Sequence, residues 1–325
     1  MTGLLVTVGI LTCFQVLLAA GLNVQFGFGG LANFGIVGFF AVGAYVTALA
    51  MAEPSQADDS LFAFGLPWWS AALLALVVAA LAAGLLSLTL FRTDIEPLFI
   101  AVITLSFAQI LYLVITAVDG VANRFVGLGG LDRFFGGRLT GQDYDKAFLV
   151  VMVVAVLAVV GFTRYLQSTP YGRMLKATRD DARAAEALGH NVRAYRATAF
   201  VLGAVIMSLA GTLWVPFLST VEPSAILSDR TFLVFATLVI GGAGNAWGSL
   251  VGGVFVSGLI WEGSRFLPRL FDWLDSDITT VRGIVIGLLL IAFLRFRPEG
   301  IVRERERRLR SSDGLLPGGS PVSKP

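Results

Sequence analysis

Runs of about twenty apolar residues recur along this chain, the length an α-helix needs to cross the hydrocarbon core of a bilayer. They occupy Leu4–Phe26, Phe34–Met51, Trp68–Phe91, Leu98–Val118, Ala147–Leu166, Tyr195–Phe217, Ser249–Trp261 and Ile278–Phe296, with a shorter one at Thr231–Ile240. The shorter run cannot cross alone unless it is tilted or broken. The expected fold is therefore an all-α polytopic bundle of about nine crossings. Several helices should be interrupted by glycine, as at Gly27–Gly30 and Gly241–Gly248. Trp68 and Trp69 open one run where an aromatic belt would place them. Composition agrees: 56% of residues are hydrophobic and only 14% are charged, against about 25% in soluble domains. The expected division is a transmembrane domain over 1–302 and a basic, disordered tail over 303–325.

Charge distribution sets the expected orientation. If the polar segment at 167–194 lies inside and the spans alternate from there, 16 of the 24 Lys and Arg fall on the inner side. The N-terminus is then outside and the C-terminus inside. The first run lacks the basic residues that precede a secretory signal, so it reads as a retained span. A net charge of +2 gives no reason to expect nucleic acid. The single cysteine, Cys13, excludes an internal disulfide and reads as a small buried hydrophobe. One histidine, His190, excludes a multi-histidine metal site.

The segment 167–194 is polar and charged, yet lies between two apolar runs. Thr169 followed by Pro170 signals the start of one short helix. Thr178 signals a second, with Asp180 and Asp181 in its first turn and Gly189 in the left-handed position that ends it. On one continuous helix, Arg179, Arg183, Glu186 and His190 would form a polar stripe. This is the pattern of a docking element.

Here the sequence resembles a known family. The run from Tyr171 through Asp180 and Asp181 to Glu186-Ala187-Leu188-Gly189 looks like the cytoplasmic coupling loop of ABC importer permeases. It is most similar to the permeases of branched-chain amino-acid transporters. Three further stretches are similar to that family: Gly27–Gly35 running into Gly38–Tyr45, Val239–Gly248, and Phe296–Gly300. The resemblance implies a prokaryotic inner-membrane subunit paired with a second homologous permease. It also implies two ATPase subunits on the coupling loop and an extracytoplasmic solute-binding protein. ATP and Mg would be bound by the ATPases, with no cofactor in this chain. The coupling residues it implies are Arg179, Asp180, Asp181, Arg183, Glu186, Ala187 and Gly189. The family's usual cargo is branched-chain or other hydrophobic amino acids, with urea and amides among its variants.

The chain contains no G-x-x-x-x-G-K-[ST] motif and no nucleophile–histidine pair, so an enzymatic role is not expected. Its spans are poor in ionisable residues, unlike those of proton- or ion-coupled carriers. A secondary carrier or channel working without ATPases is the alternative class, and it has no use for the coupling loop. A purely structural membrane subunit is disfavoured by the broken helices. Uncharged polar residues occur inside the spans, among them Gln15, Asn23, Gln25 and Thr104. Either they bridge helices or they line a weakly polar path. Asn33, Phe34, Gln109 and Asn245 are the candidates for the path. Asn33 and Asn245 each adjoin a glycine break, in the echoing patterns Gly29-Gly30-x-x-Asn33 and Gly241-Gly242-x-x-Asn245. Glu304, placed in the tail, is expected to tolerate charge reversal.

Overall fold

A computed structural model describes residues 2–53, 64–92, 96–118, 128–134, 139, 141–223, 229–262, 278–297 and 299–304. The expectation for the tail after Glu304 lies outside these residues.

The described chain is almost wholly helical. Helix α1 (Thr2–Leu22) continues as a π-helical turn over Asn23–Phe28. Then come α2 (Ile36–Met51), α3 (Trp68–Leu90), α4 (Pro97–Ala117) and α5 (Gln142–Ser168). Two short helices follow, α6 (Pro170–Asp180) and α7 (Ala182–Ala187), and then the long α8 (Val192–Leu218). Helix α9 (Asp229–Gly241) bends by 116° into α10 (Ala246–Gly252), which continues π-helically over Gly253–Glu262. Helix α11 (Ile278–Phe296) closes the described bundle. The described strands are two-residue segments, β1 (Leu128–Gly129) and β2 (Thr220–Val221), paired antiparallel with Leu128 opposite Val221.

Five described helices are long and apolar enough to span a membrane, or six if the bent α9–α10 pair is one span. Nine crossings are thus an expectation that helix length alone does not reach. Helix α2 is one reason. Its sixteen residues give roughly 24 Å, short of the ~30 Å hydrocarbon thickness. The stretch before it, 29–35, is not helical.

Helix α3 displays an inverted packing logic. Ala71, Ala75, Ala79 and Ala83, spaced four apart, are fully buried, whereas Leu73, Leu81, Leu85 and Leu88 are 62–69% exposed. Water would favour the opposite arrangement. In lipid the large side chains gain nothing by facing inward, and small ones let helices approach closely. The same reasoning explains the central contact between α2 and α8. A Cβ added at Gly43 would stand 2.1 Å from the Ser208 carbonyl oxygen, and one at Gly211 would stand 2.1 Å from that of Phe40. Only glycine fits where two backbones lie that close. At one end of the bundle Tyr144 donates a hydrogen bond to the Pro216 carbonyl. At the other end the 27–30 break, the 241–245 break, α6 and the segment 301–304 meet.

Candidate functional site

The hairpin α6–α7 begins as its sequence suggests and then departs from it. The Thr169 hydroxyl accepts the Gly172 N–H at 3.2 Å, with Pro170 as the first helical residue. Thr178, however, caps nothing. It is buried within α6, where its hydroxyl donates to the Leu175 carbonyl at 2.8 Å. The cap of the second helix is Asp181, whose carboxylate accepts the Ala184 N–H at 3.0 Å. Because α6 ends at Asp180 and Asp181 is extended, Arg179 is on a different helix from Arg183 and Glu186. The expected four-residue stripe is therefore split. Arg183, Glu186, Ala187 and Leu188 are exposed on α7, and Leu188 is 78% exposed. Asp180 is exposed and pairs with Arg179 at 2.9 Å. His190 leaves the stripe to lie edge-on to the Tyr195 ring.

Gly189 ends α7 in the left-handed region, with φ +83°. Its N–H donates to the Glu186 carbonyl at 2.9 Å, and the His190 N–H donates to that of Ala185 at 3.1 Å. These two bonds form a Schellman motif. Nothing lies within 4 Å of where a Cβ would stand, so the restriction is conformational. Gly189→Asn should therefore be tolerated. Gly189→Val should cost about 1–3 kcal/mol locally and disorder α7. Faster hydrogen exchange confined to residues 182–190 of the valine variant would verify this, and unchanged exchange would refute it.

Arg179 points inward. Its guanidinium donates to the Gly27 carbonyl at the first break and pairs with Glu304 at 3.1 Å. Burial disfavours its charge, but the hydrogen bond it donates to Asp180 and the field of Glu304 outweigh that and hold its pKa above the usual arginine value. One turn earlier, Lys176 reaches the second break. Its ammonium donates to the Gly244 carbonyl at 2.8 Å, pairs with Glu304 at 2.5 Å, and lies 5.2 Å from the centre of the Phe28 ring. Gln167, at the end of α5, also donates to Gly244, at 3.2 Å. Glu304 is thus a clasp joining Lys176 and Arg179, two of the three cations of α6. Its side chain is 26% exposed, and those of Lys176 and Arg179 are 17% and 25% exposed. The expectation that Glu304 belongs to a loose tail is corrected here. The Arg303 carbonyl accepts from Asn245 at 2.9 Å, and the Val302 N–H donates to the Gly241 carbonyl at 3.0 Å. The packed body therefore runs past residue 302.

The two breaks also touch each other. The Asn23 amide donates to the Asn245 carbonyl at 2.7 Å and accepts the Gly244 N–H at 2.9 Å. The echo noted in the sequence has a structural counterpart. Asn33 accepts the N–H two residues on, from Gly35, at 2.7 Å, and Asn245 does the same with Trp247 at 3.0 Å. Each asparagine substitutes for a backbone turn just before a helix resumes. The first break is non-helical backbone inside the bundle, which is tolerated only where protein satisfies it. Leu31 donates to the Gln25 carbonyl at 2.9 Å and Phe34 to the Thr104 hydroxyl at 3.0 Å. Asn33 is fully buried and donates to Gln25 at 2.7 Å, which in turn donates to the Phe200 carbonyl at 2.7 Å.

Of the four path candidates, then, Asn33 and Asn245 hold the backbone of the breaks. Phe34 is partly exposed and stacks on Phe235, with ring centres 4.5 Å apart. Gln109 stands apart from the other three, on the exposed face of α4. Lys176 and Gln167 were not singled out from sequence; Asn23 was named only among the uncharged polar residues of the spans, and Glu304 only as a tail residue tolerant of charge reversal. The one local signal was Lys176 and Arg179 three residues apart, on one face of a short helix.

Comparison with known proteins identifies the setting. The family model described as the branched-chain amino acid transport system permease component matches residues 4–294. The high-affinity branched-chain amino acid transport system permease protein LivM of Escherichia coli is 27% identical over 96% of this chain and 73% of its own. A probable branched-chain amino acid transport permease protein LivM from Methanocaldococcus jannaschii is 23% identical over 89% of this chain and 90% of its own. The LivH permease protein of the Escherichia coli system is 28% identical over about half of each chain. No solved structure matches. A match that runs across nearly the whole described bundle places the chain in the family of branched-chain amino acid transport system permease components.

Proposed function

We propose that this chain is the membrane-spanning subunit of an ATP-driven importer of branched-chain amino acids. It pairs with a second homologous permease, a pairing suggested by its likeness to both the LivM and LivH proteins of one Escherichia coli system. Two ATPase subunits dock on the α6–α7 hairpins, and an extracytoplasmic binding protein delivers the substrate. The hairpin lies on the cytoplasmic side of a cell membrane.

The observation that carries this reading is the two-faced hairpin. Its outer face is α7, with Arg183, Glu186 and Leu188 exposed for a partner's cleft. Its inner face is α6, with Lys176 and Arg179 seated on the carbonyls of both glycine breaks. A displacement of α7 by a closing ATPase pulls on α6 and, through it, on α1 and on the α9–α10 bend. The breaks are where those helices lack continuous backbone hydrogen bonds, so they yield first. The cations are the levers and the breaks are the hinges. Phe34 and Gln109, which keep accessible surface, are assigned to the substrate path, while Asn33 and Asn245 shape the hinges.

The test is uptake of labelled leucine into proteoliposomes holding the two permeases, the ATPases and the binding protein. Uptake should require internal ATP and the binding protein together, and Glu186→Lys should abolish it without preventing insertion. Uptake driven by an ion gradient in the absence of ATP would assign the chain to the carrier class instead.

A further inference from the structure

Two cavities lie end to end along the same pair of antiparallel helices, α5 and α10. The first, about 720 Å³, is lined by Arg164, Tyr165 and Ser168 of α5, by Asn245 and Trp247, and by Arg303. The Arg164 guanidinium lies 6.0 Å from the centre of the Trp247 ring, in cation–π geometry. Arg303 is bound through Nε to Glu299 at 2.9 Å, yet its side chain is 75% exposed. Arg164 and Arg303 are the charged residues among the described lining. The second cavity, about 510 Å³, is apolar. It is lined by Val153 and Leu157 of α5, by Leu250 and Val254, and by Val8 and Cys13 of α1.

The cavities are in register. Leu157 and Gly161 are one turn apart on α5, and Trp247 and Leu250 are one turn apart on α10, so one cavity begins where the other ends. The apolar part begins at Leu157, roughly 12 Å along α5 from Tyr165 and so within the ~15 Å hydrocarbon depth of one leaflet, and continues past the midplane toward Leu149. Tyr165 and Trp247 mark the boundary, where amphipathic rings settle. A basic, aromatic-rimmed head above an apolar groove matches the shape and charge of a phospholipid. A basic pocket between helices on the cytoplasmic side is where anionic headgroups bind.

We propose that this composite groove binds one anionic glycerophospholipid from the leaflet on the hairpin side. Its phosphate sits between Arg164 and Arg303, and an acyl chain lies along Leu157 and Leu250. The site abuts the second glycine break through Asn245, so its occupant stabilises the α9–α10 bend. The proposal rests on the chain spanning a membrane and is independent of what the transporter carries or what drives it.

The experiment uses the full-length chain, alone and in the assembled complex, with spin-labelled phosphatidylglycerol or phosphatidylcholine. The motionally restricted fraction is read by electron paramagnetic resonance. Phosphatidylglycerol should be retained in preference to phosphatidylcholine in both preparations. Arg164→Gln and Arg303→Gln should each lower that preference roughly fivefold, equivalent to about 1 kcal/mol per arginine near a charged surface. Leu157→Trp with Leu250→Trp, which fills the tail groove and leaves the arginines in place, should reduce retention of both lipids. Equal retention of the two lipids by the wild type, or an unchanged preference in both arginine variants, would overturn the proposal. Displacement by inorganic phosphate would identify a soluble anion as the ligand and overturn the lipid assignment. Preference present in the isolated chain but lost in the complex would mean that a partner subunit covers the groove, and would equally overturn it.

Discussion

Glu304→Lys is expected to abolish uptake while the chain still inserts and assembles. The carboxylate it removes contacts Lys176 at 2.5 Å and Arg179 at 3.1 Å, and the lysine it introduces adds a third cation to the same spot. Removing one member of a buried pair costs about 3–5 kcal/mol. These side chains are 17–26% exposed, so about 2–3 kcal/mol is expected here, discounted for screening. The loss falls on the link between α6 and the breaks, not on the bundle core. Thermal stability should therefore drop modestly, while hydrolysis by the ATPases continues without stimulation by the loaded binding protein. Glu304→Gln, which keeps a hydrogen-bond acceptor and removes the charge, should retain part of both activities. Wild-type uptake in Glu304→Lys would return this residue to the inert tail expected from its sequence position.

Asn23→Leu has the opposite profile: a large loss of stability. The Asn23 side chain is fully buried and satisfies both the Gly244 N–H and the Asn245 carbonyl. Leucine is of similar size but satisfies neither. The Gly244 N–H, left unpaired, costs about 1–3 kcal/mol, and the Asn245 carbonyl keeps only the Gly248 N–H at 3.0 Å, so a marked loss of stability is expected. A fall in the melting temperature of the purified complex, with faster amide exchange at 241–246, is the expected signature. Gln15→Leu is the control, because it removes a single side-chain bond, to Thr237 at 3.1 Å. Equal melting temperatures for Asn23→Leu and Gln15→Leu would mean that the bridge between the breaks contributes nothing specific.

What the sequence reveals of this molecule follows the range of the forces involved. The apolar runs place most of the described helices to within a few residues, because spanning a bilayer is a demand on local composition. The Thr169 cap and the Gly189 stop are legible for the same reason, since each is satisfied within three or four residues. The Thr178 cap is not, because a buried threonine on the inner face of α6 finds its partner in the preceding turn, and Asp181 is the stronger cap. The polar stripe presupposed one continuous helix, and the stop at Asp180 divides it. Which face of α3 packs inward is hidden too, since leucine and alanine are both apolar and only the partner helices choose between them. Least legible is the clasp. Arg179 and Glu304 are 125 residues apart, and nothing near either one announces the other. Asn33 and Asn245 were singled out as path candidates for their place beside glycine breaks, and there each accepts the N–H two residues on as the helix resumes.

The central claim is that force passes from the hairpin to the two breaks through the cations of α6 and the carboxylate of Glu304. The most direct test is charge exchange, comparing Lys176→Glu and Glu304→Lys singly and together in the reconstituted complex. The readouts are ATP hydrolysis stimulated by the loaded binding protein and leucine uptake. If the clasp transmits the stroke, each single variant loses stimulation and the double variant recovers a substantial part of both activities, because the pair is restored with its polarity reversed. A double variant as inactive as the singles, with hydrolysis still unstimulated, would contradict the account.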